Sequence, residues 1–295
     1  MHTSRLKKTR EYQRGADTMK KSSVSICSIV RDCQTNLKRN RSRIELLRSF
    51  FRESEVIIFE NDSKDNTREI LLDWQTHSNN VNIFSETYGG VTIPAKNKST
   101  GNRYFSISRI EKMARYRNQY IDFLNKENSN RDYVIIIDLD ISNFDIEGIV
   151  HSFGLTDQWD CISANGKSLS SNFRQQYHDS YALIEFGKIN SVQTEDSIYM
   201  NQFRFSFLRP GMPLFPVDSA YGGIAIFLWS SLKGLRYSAL KNEDDKVESK
   251  SEHVSIYKKM KENGNSRIFI NPSMILKYRT ISIKFLISKV IEKVF

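Results

Sequence analysis

The chain has 295 residues, a mass of 34.4 kDa and a formal net charge of +10, and 39% of its residues are hydrophobic. This hydrophobic content excludes a disordered chain and is sufficient for the core of one large domain. We expect neither a membrane span nor a signal peptide, because no apolar run reaches about 18 residues and residues 1–22 lack an apolar centre. The 3 cysteines show no metal-like pairing, which is typical of a reducing compartment, so we expect a cytoplasmic protein.

The positive charge is concentrated at the two ends of the sequence. Residues 1–21 hold seven basic and two acidic side chains, and residues 277–295 hold five basic and one acidic, which leaves about +1 for the rest. We predict that residues 1–22 form a basic, disordered tail, and Met19 is an alternative start. Residues 277–295 have apolar side chains at helical spacing, which predicts a basic amphipathic helix that either packs on the sheet or lies on an anionic membrane surface.

Apolar runs rich in β-branched residues alternate with segments of helical periodicity. The predicted strands are 24–30, 55–60, 81–86, 133–138 and 160–164, and the predicted helices are 37–51, 65–77 and 109–127. This alternation predicts an α/β fold with a mostly parallel, Rossmann-like sheet flanked by helices, and a ligand site at the carboxyl ends of the strands. Residues 23–276 are therefore predicted to form a single domain.

Polar side chains follow three of the predicted strands at the point where each strand ends. The first strand ends at Arg31, the second at Glu60 and Asp62, and the fourth at Asp138 and Asp140. Two neighbouring carboxylates repel each other unless a cation or polar ligand lies between them. Hard divalent cations prefer carboxylate oxygens, so the sequence predicts a cation site at the last two residues.

Three stretches resemble the GT-A fold glycosyltransferases, in particular the family 2-like enzymes. The first, 59–71, is similar to the nucleotide-binding turn D-D-G-S-x-D-x-T. The matching residues in that turn are Glu60, Asn61, Ser63 and Asp65, and Asp62 replaces the Gly. The second is the D-x-D motif, matched by Asp138 and Asp140, and the third is the A-x-x-R-N element, matched by Ala114, Arg117 and Asn118.

This resemblance implies a metal-dependent glycosyltransferase that uses a nucleotide-sugar donor. It implies that 23–165 is the nucleotide-binding half of the domain and 166–276 the acceptor half. Mn²⁺ or Mg²⁺ is then held by Asp138, Asp140 and His253. The implied nucleotide-binding residues are Arg31, Glu60, Asp62, Arg117, Asn118 and Asp138.

Two later stretches, 217–227 and 251–260, resemble acceptor-side segments of capsule mannosyltransferase-like GT-A enzymes. They contain the two candidate catalytic carboxylates, Asp218 and Glu252. An inverting reaction needs one of them as the base that deprotonates the acceptor, whereas a retaining reaction needs no dedicated base. The sequence leaves both the residue and the stereochemistry open.

The implied partners are a nucleotide sugar and a glycan or lipid-linked glycan acceptor. The resemblance implies capsule or cell-surface polysaccharide synthesis, and the basic C-terminal segment, if it binds an anionic membrane, places the enzyme at the inner face of the cell membrane. As an alternative, the strand before Asp138 also resembles the first motif of haloacid-dehalogenase-like phosphatases, in which this residue is the nucleophile and Asp140 the acid/base. We expect no nucleic-acid partner, because aromatic residues are not interleaved with the Lys/Arg clusters.

Overall fold

The chain alternates strand and helix as far as β4, in agreement with its periodicity. The computed structural model describes residues 6–95, 101–126, 131–170 and 174–278. The helices are α1 (Arg10–Met19), α2 (Gln34–Arg48), α3 (Thr67–His77), α4 (Ile107–Lys126), α5 (Ile146–Phe153), α6 (Glu195–Arg204), α7 (Trp229–Leu232) and α8 (Glu252–Glu262), with 3₁₀ turns at Arg103–Phe105 and Phe205–Phe207. The strands are β1 (Ser23–Val30), β2 (Glu53–Asn61), β3 (Val81–Glu86), β4 (Tyr133–Ile137), β5 (Asn143–Phe144), β6 (Cys161–Leu169), β7 (Gln175–Tyr177), β8 (Ile184–Glu185), β9 (Phe215–Ser219), β10 (Ile224–Leu228), β11 (Leu240–Lys241), β12 (Ser249–Lys250) and β13 (Ile268–Lys277).

The central sheet has the strand order β3-β2-β1-β4-β10-β6-β13-β9-β8, with β5 paired to β13 and β7 paired to β6. Strands β3, β2, β1 and β4 are parallel to one another, which confirms the predicted α/β fold. Strand β10 is antiparallel to both β4 and β6. Its amino end therefore lies beside the carboxyl end of β4, where the Asp138 amide donates a hydrogen bond of 3.0 Å to the Gly223 carbonyl.

The sheet is covered on both faces, so its central strands are apolar on both sides. On β4, Ile135 and Ile137 belong to one core layer and Val134 and Ile136 to the other, as the two-residue period of a strand requires. The first layer is completed by α1, α2, α3 and α5, and the second by α4 and α8. This packing fixes the carboxyl ends of the parallel strands at one edge of the molecule.

The prediction of a disordered tail at residues 1–22 is wrong for the part that the structure describes. Helix α1 begins after Thr9, whose hydroxyl accepts a hydrogen bond of 3.1 Å from the Tyr12 amide, and it ends at the fully buried Met19. A Cβ on Gly15 would lie 1.9 Å from the Val150 carbonyl oxygen, so α1 crosses α5 at backbone contact. The fold therefore includes residues before Met19.

The predicted C-terminal helix at 277–295 lies outside the described residues, apart from Lys277, which ends β13, and Tyr278. In the described part of the chain, no helix combines the length and the hydropathy that a bilayer crossing requires.

Candidate active site

A cavity of about 300 Å³ opens at the carboxyl ends of β1, β2 and β4. Six of the residues predicted for the site line it: Arg31, Arg117, Asp138, Asp140, Glu252 and His253. They come from four regions of the sequence, which strands β1 and β4, helix α4 and the start of α8 bring to one edge. The carboxyl ends of the parallel strands thus bring Arg31, Asp138 and Asp140 together, and the two helices add the other three residues.

The D-x-D segment is held in place by its backbone as well as by its side chains. Two asparagines of α2 donate to it: Asn36 to the Asp140 carbonyl at 2.8 Å, and Asn40 to the two flanking carbonyls, each at 2.8 Å. The Tyr221 hydroxyl donates to Asp138 at 2.8 Å. Burial and the neighbouring Asp140 carboxylate raise the pKa of Asp138 to about 7. The pair therefore carries an electrostatic cost that a bound cation relieves.

A buried ion pair forms the opposite wall of the cavity. Arg117 Nε donates to Glu252 Oε1 at 2.8 Å, and both side chains are 5% exposed. Burial alone raises the pKa of a carboxyl, but the Arg117 guanidinium lowers the pKa of Glu252 to about 2. Glu252 is thus ionised and weakly basic. Arg117 Nη1 is buried without a hydrogen-bond partner, so this guanidinium retains a donor.

The His253 ring lies beside this pair. It stacks on Tyr221 with a centroid distance of 4.0 Å, and its Nε2 lies 3.8 Å from Glu252 Oε1. Burial and the nearby Arg117 lower the pKa of His253 well below its usual range, so the ring is neutral. Both ring nitrogens are buried without a hydrogen-bond partner.

Glu60 and Asp62, the two acids of the predicted nucleotide-binding turn, accept hydrogen bonds that stabilise the turn and its neighbours. Glu60 accepts from the Ser63 amide at 2.8 Å and from the Ser85 hydroxyl. Asp62, at φ +51°, accepts from the Tyr88 amide at 2.9 Å and from the Gly89 amide at 2.8 Å. Partial burial alone would raise the pKa of Asp62, but these two hydrogen bonds and a third from the Asn61 side chain lower it. Neither acid lines the cavity, whereas Asn61 does.

Two other predicted site residues lie away from the cavity, and their placement corrects the sequence prediction. Asn118 exchanges two hydrogen bonds with the Tyr237 backbone, at 3.0 and 2.9 Å, so its side chain joins α4 to the loop before β11. Asp218 is completely buried, accepts from the Ile189 amide at 2.8 Å and forms an ion pair with Lys261. Neither residue is placed to meet a substrate in this cavity.

The cavity also contains residues that the sequence did not reveal. Asp179, at φ +64°, follows β7 and lines the cavity. Burial, Asp138 and Glu252 raise the pKa of Asp179 to about 8. Tyr278 stacks on His178 at 4.0 Å and donates to Asp140 at 3.4 Å. The strand before Asp179 has only three residues and gives no periodic signal, and no motif marks Tyr278, which directly follows β13.

Arg109 also lines the cavity, and the sequence contained a pattern that could have identified it. It lies on the predicted helix, eight residues before Arg117, and therefore on the same helical face. Its Nη1 donates to the Tyr104 carbonyl at 2.9 Å, and its Nε is buried without a hydrogen-bond partner. The cavity thus has three guanidinium groups as well as its carboxylates.

The donor set fits a divalent cation that is shared with a substrate. Asp138 and Asp140 offer two carboxylates at the end of one strand, and Mg²⁺ commonly uses one or two carboxylates together with substrate phosphates and water. In the described ranges, no three His, Cys, Asp or Glu side chains are close enough to hold a metal by themselves. His253 as a third ligand therefore stays a prediction.

The mostly parallel sheet, flanked by helices, agrees with the GT-A glycosyltransferase fold that the sequence resembles, and the cavity at the end of β4 contains its D-x-D pair. Residues 23–259 match the family described as Cryptococcal mannosyltransferase 1, and the chain belongs to this family. The phosphatase alternative is not favoured, because three parallel strands of the sheet precede β4 and the later acid pair Asp244 and Asp245 lies outside the cavity. No curated protein matches this sequence.

Several solved structures are similar in fold at low sequence identity. Mannosyltransferase PcManGT from Pyrobaculum calidifontis in complex with GDP-Man and Mn²⁺ is 12% identical, with a TM-score of 0.47, over 95% of this chain and 66% of that one. Mannosyl-3-phosphoglycerate synthase from Rubrobacter xylanophilus is 11% identical, with a TM-score of 0.45, over 96% and 75%. S. aureus TarS 1-349 is 14% identical, with a TM-score of 0.44, over 86% of this chain, which spans only 59% of that one.

Proposed function

We propose that this protein transfers a sugar from a nucleotide-sugar donor to a hydroxyl group of a glycan or lipid-linked glycan, with Mn²⁺ or Mg²⁺. The observation that supports this most is the joint presence of Asp138, Asp140 and three arginines in one cavity. A nucleoside diphosphate with its cation needs both kinds of group. The family description makes a mannose-bearing nucleotide the first donor to test.

On the donor side, the guanidinium groups bind the diphosphate. Arg117 Nη1 and Arg109 Nε are buried donors without a partner, so a phosphate oxygen satisfies both an electrostatic and a hydrogen-bonding requirement. A divalent cation at the two aspartates, when bound, neutralises the charge of the leaving diphosphate. Glu252 holds Arg117 in place at 2.8 Å and does not act as the base.

On the acceptor side, Asp179 replaces the two carboxylates that the sequence suggested. Asp218 is buried in an ion pair with Lys261, and Glu252 is paired with Arg117 and has a pKa of about 2. Asp179 lines the cavity, and its pKa of about 8, which burial raises, is close to that of an efficient general base at neutral pH. We assign it the contact with the acceptor hydroxyl.

We further propose that the acceptor belongs to a capsule or another cell-surface polysaccharide, built at the cytoplasmic face of a membrane. The family match and the basic C-terminal segment support this placement.

The test combines ligand binding with turnover. The melting temperature is measured with GDP and UDP, with and without Mn²⁺, and hydrolysis of GDP-mannose is followed in parallel. A ligand at a hundred times its dissociation constant raises the free energy of unfolding by about 2.7 kcal/mol. We expect Asp140→Asn to abolish the Mn²⁺-dependent shift and to lower hydrolysis by about 10²-fold or more.

The matched control is Asp17→Asn, an exposed acid on α1 that should change neither result. The proposal fails if no nucleoside diphosphate stabilises the protein in the presence of Mn²⁺ and Asp140→Asn hydrolyses donors like the wild type.

A further inference from the structure

Tyr221 links the D-x-D segment to the opposite wall of the cavity. It lies in the turn before β10, is only 2% exposed and lines the cavity. Its hydroxyl donates to Asp138 Oδ1 at 2.8 Å. In the described ranges this is the one hydrogen bond that the carboxylate accepts, so Oδ2 is left for a ligand.

The tyrosine ring is held by two neighbouring side chains. It stacks on the His253 ring with a centroid distance of 4.0 Å and an angle of 20° between the planes. The Arg117 guanidinium carbon lies 5.2 Å from the centroid of the tyrosine ring, within cation–π range, and Glu252 holds that guanidinium at 2.8 Å. All of these side chains are buried. The ring contacts therefore fix the direction of the Tyr221 hydroxyl before any ligand binds.

The main chain at Tyr221 is fixed as well. Gly222 and Gly223 have φ values of +61° and +88°, and a Cβ on Gly222 would lie 2.3 Å from the Ala164 carbonyl oxygen, so the turn passes β6 at backbone contact. In addition, the Asp138 amide donates to the Gly223 carbonyl at 3.0 Å. The turn and Asp138 are thus joined through both backbone and side chain, and the sheet sets the distance between the hydroxyl and the carboxylate.

We propose that Tyr221 is a positioning residue for the divalent cation: it holds Asp138 Oδ1 and thereby leaves Oδ2 to the metal. The presence of the cation rests on the proposed function, whereas the hydrogen bond does not. Mg²⁺ requires near-ideal octahedral coordination, so the orientation of a carboxylate ligand strongly affects its affinity. Tyr221 acts through Asp138, so the loss of its hydroxyl should change metal affinity and spare the chemical step.

The test is Mn²⁺ binding by the full chain, with and without GDP, measured from the electron paramagnetic resonance signal of free Mn²⁺. Tyr221→Phe keeps the ring and its contacts with His253 and Arg117 and removes only the hydroxyl. We expect its dissociation constant for Mn²⁺ to rise about 10- to 100-fold. Its affinity for GDP without Mn²⁺ should equal that of the wild type, because the guanidinium groups are unchanged.

Donor hydrolysis separates positioning from chemistry. With GDP-mannose, the Mn²⁺ concentration that gives the half-maximal rate should rise by the same factor in Tyr221→Phe. The rate at saturating Mn²⁺ should return to that of the wild type. A merely structural role would instead lower the melting temperature and the saturating rate together.

The matched control is Tyr237→Phe, which removes a second buried hydroxyl from the same group of side chains. Tyr237 is 3% exposed, and its ring lies 5.7 Å from that of His253 and 5.9 Å from the Arg117 guanidinium carbon. Its hydroxyl accepts from Tyr120 at 3.3 Å and does not contact Asp138. This variant should bind Mn²⁺ like the wild type.

Melting temperature without metal is measured for every variant. Equal Mn²⁺ affinity in the wild type and Tyr221→Phe overturns the proposal, as does an equal loss in Tyr237→Phe. A rate that saturating Mn²⁺ does not restore also overturns it, because the hydroxyl then takes part in the chemistry. A wild type that binds Mn²⁺ with GDP, shows the expected loss in Tyr221→Phe and hydrolyses no donor supports the role of Tyr221 and contradicts only the proposed function. A wild type that binds no Mn²⁺ overturns both.

Discussion

The buried ion pair of Arg117 and Glu252 allows a test of whether Glu252 stabilises the fold or acts as the catalytic base. We predict that Glu252→Gln destabilises the protein at neutral pH, because the amide keeps its oxygen but leaves the guanidinium without a counter-charge. A pKa of about 2 against the ordinary 4.5 corresponds to about 3 kcal/mol at 1.36 kcal/mol per unit. For 295 residues the entropy of unfolding is about 0.6 kcal/mol per degree, so the melting temperature should fall by about 5 °C.

The pH dependence follows from the direction of this pKa. A depressed carboxyl pKa contributes stability that is fully present above pH 4.5 and is lost as the pH falls toward 2, so the gap between variant and wild type should close over that window. Thermal unfolding between pH 2 and pH 8 measures it, and Glu262→Gln, exposed on the same helix, is the control.

A double variant distinguishes the effect of the lost charge from the effect of side-chain packing. Replacing both partners, as Arg117→Met with Glu252→Leu, should recover much of the lost stability, because no uncompensated charge remains, but it should not recover nucleoside diphosphate binding. The reasoning is refuted if Glu252→Gln melts like the wild type and hydrolyses donor normally yet transfers no sugar, because Glu252 is then the base.

Three further results are expected. Asp179→Asn should abolish transfer to an acceptor while sparing nucleotide binding. Because the raised pKa of Asp179 makes its ionised form costly in the folded state, the variant should have a higher melting temperature than the wild type at pH 8.5 and the same melting temperature at pH 3.5. Equal melting temperatures at both pH values would contradict the inference that burial raises this pKa. Gly15→Ala should lower stability by about 1–3 kcal/mol in urea unfolding, because its Cβ meets the Val150 carbonyl at 1.9 Å, whereas Gly90→Ala, with its nearest atom at 3.9 Å, should be neutral. Removing residues 1–18 should lower the melting temperature by several degrees through loss of the α1–α5 contact, and an unchanged melting temperature would show that α1 adds nothing to the fold.

The first half of the fold could be predicted because β1, β2 and β4 are largely buried on both faces and the helices between the strands have apolar residues at helical spacing. Strands β1 to β4 and the helices between them agree with the predicted ranges to within a few residues. The parallel order then brought Arg31 and the D-x-D pair to one edge without further information. These are local patterns with a single geometric outcome.

The second half depends on contacts between distant segments, which a single sequence does not display. Asp218 and Asp179 are both acids at the ends of short strands, and only the packing shows that one meets Lys261 while the other faces the cavity. The N-terminal helix was missed for another reason. Its charge count suggested a tail, although Tyr12, Gly15 and Met19 recur at helical spacing and face α5.

The insertion of β10 between β4 and β6, and of β13 beside β6, has a consequence for biosynthesis. The cavity joins residues from Arg31 to Tyr278, so this entire segment must leave the ribosome before the pocket can close. Until then the growing chain exposes unpaired strand edges, and its long-range pairings form slowly. A polypeptide stopped before β13 should therefore accumulate as aggregate, because the pocket and the sheet are both incomplete without this strand.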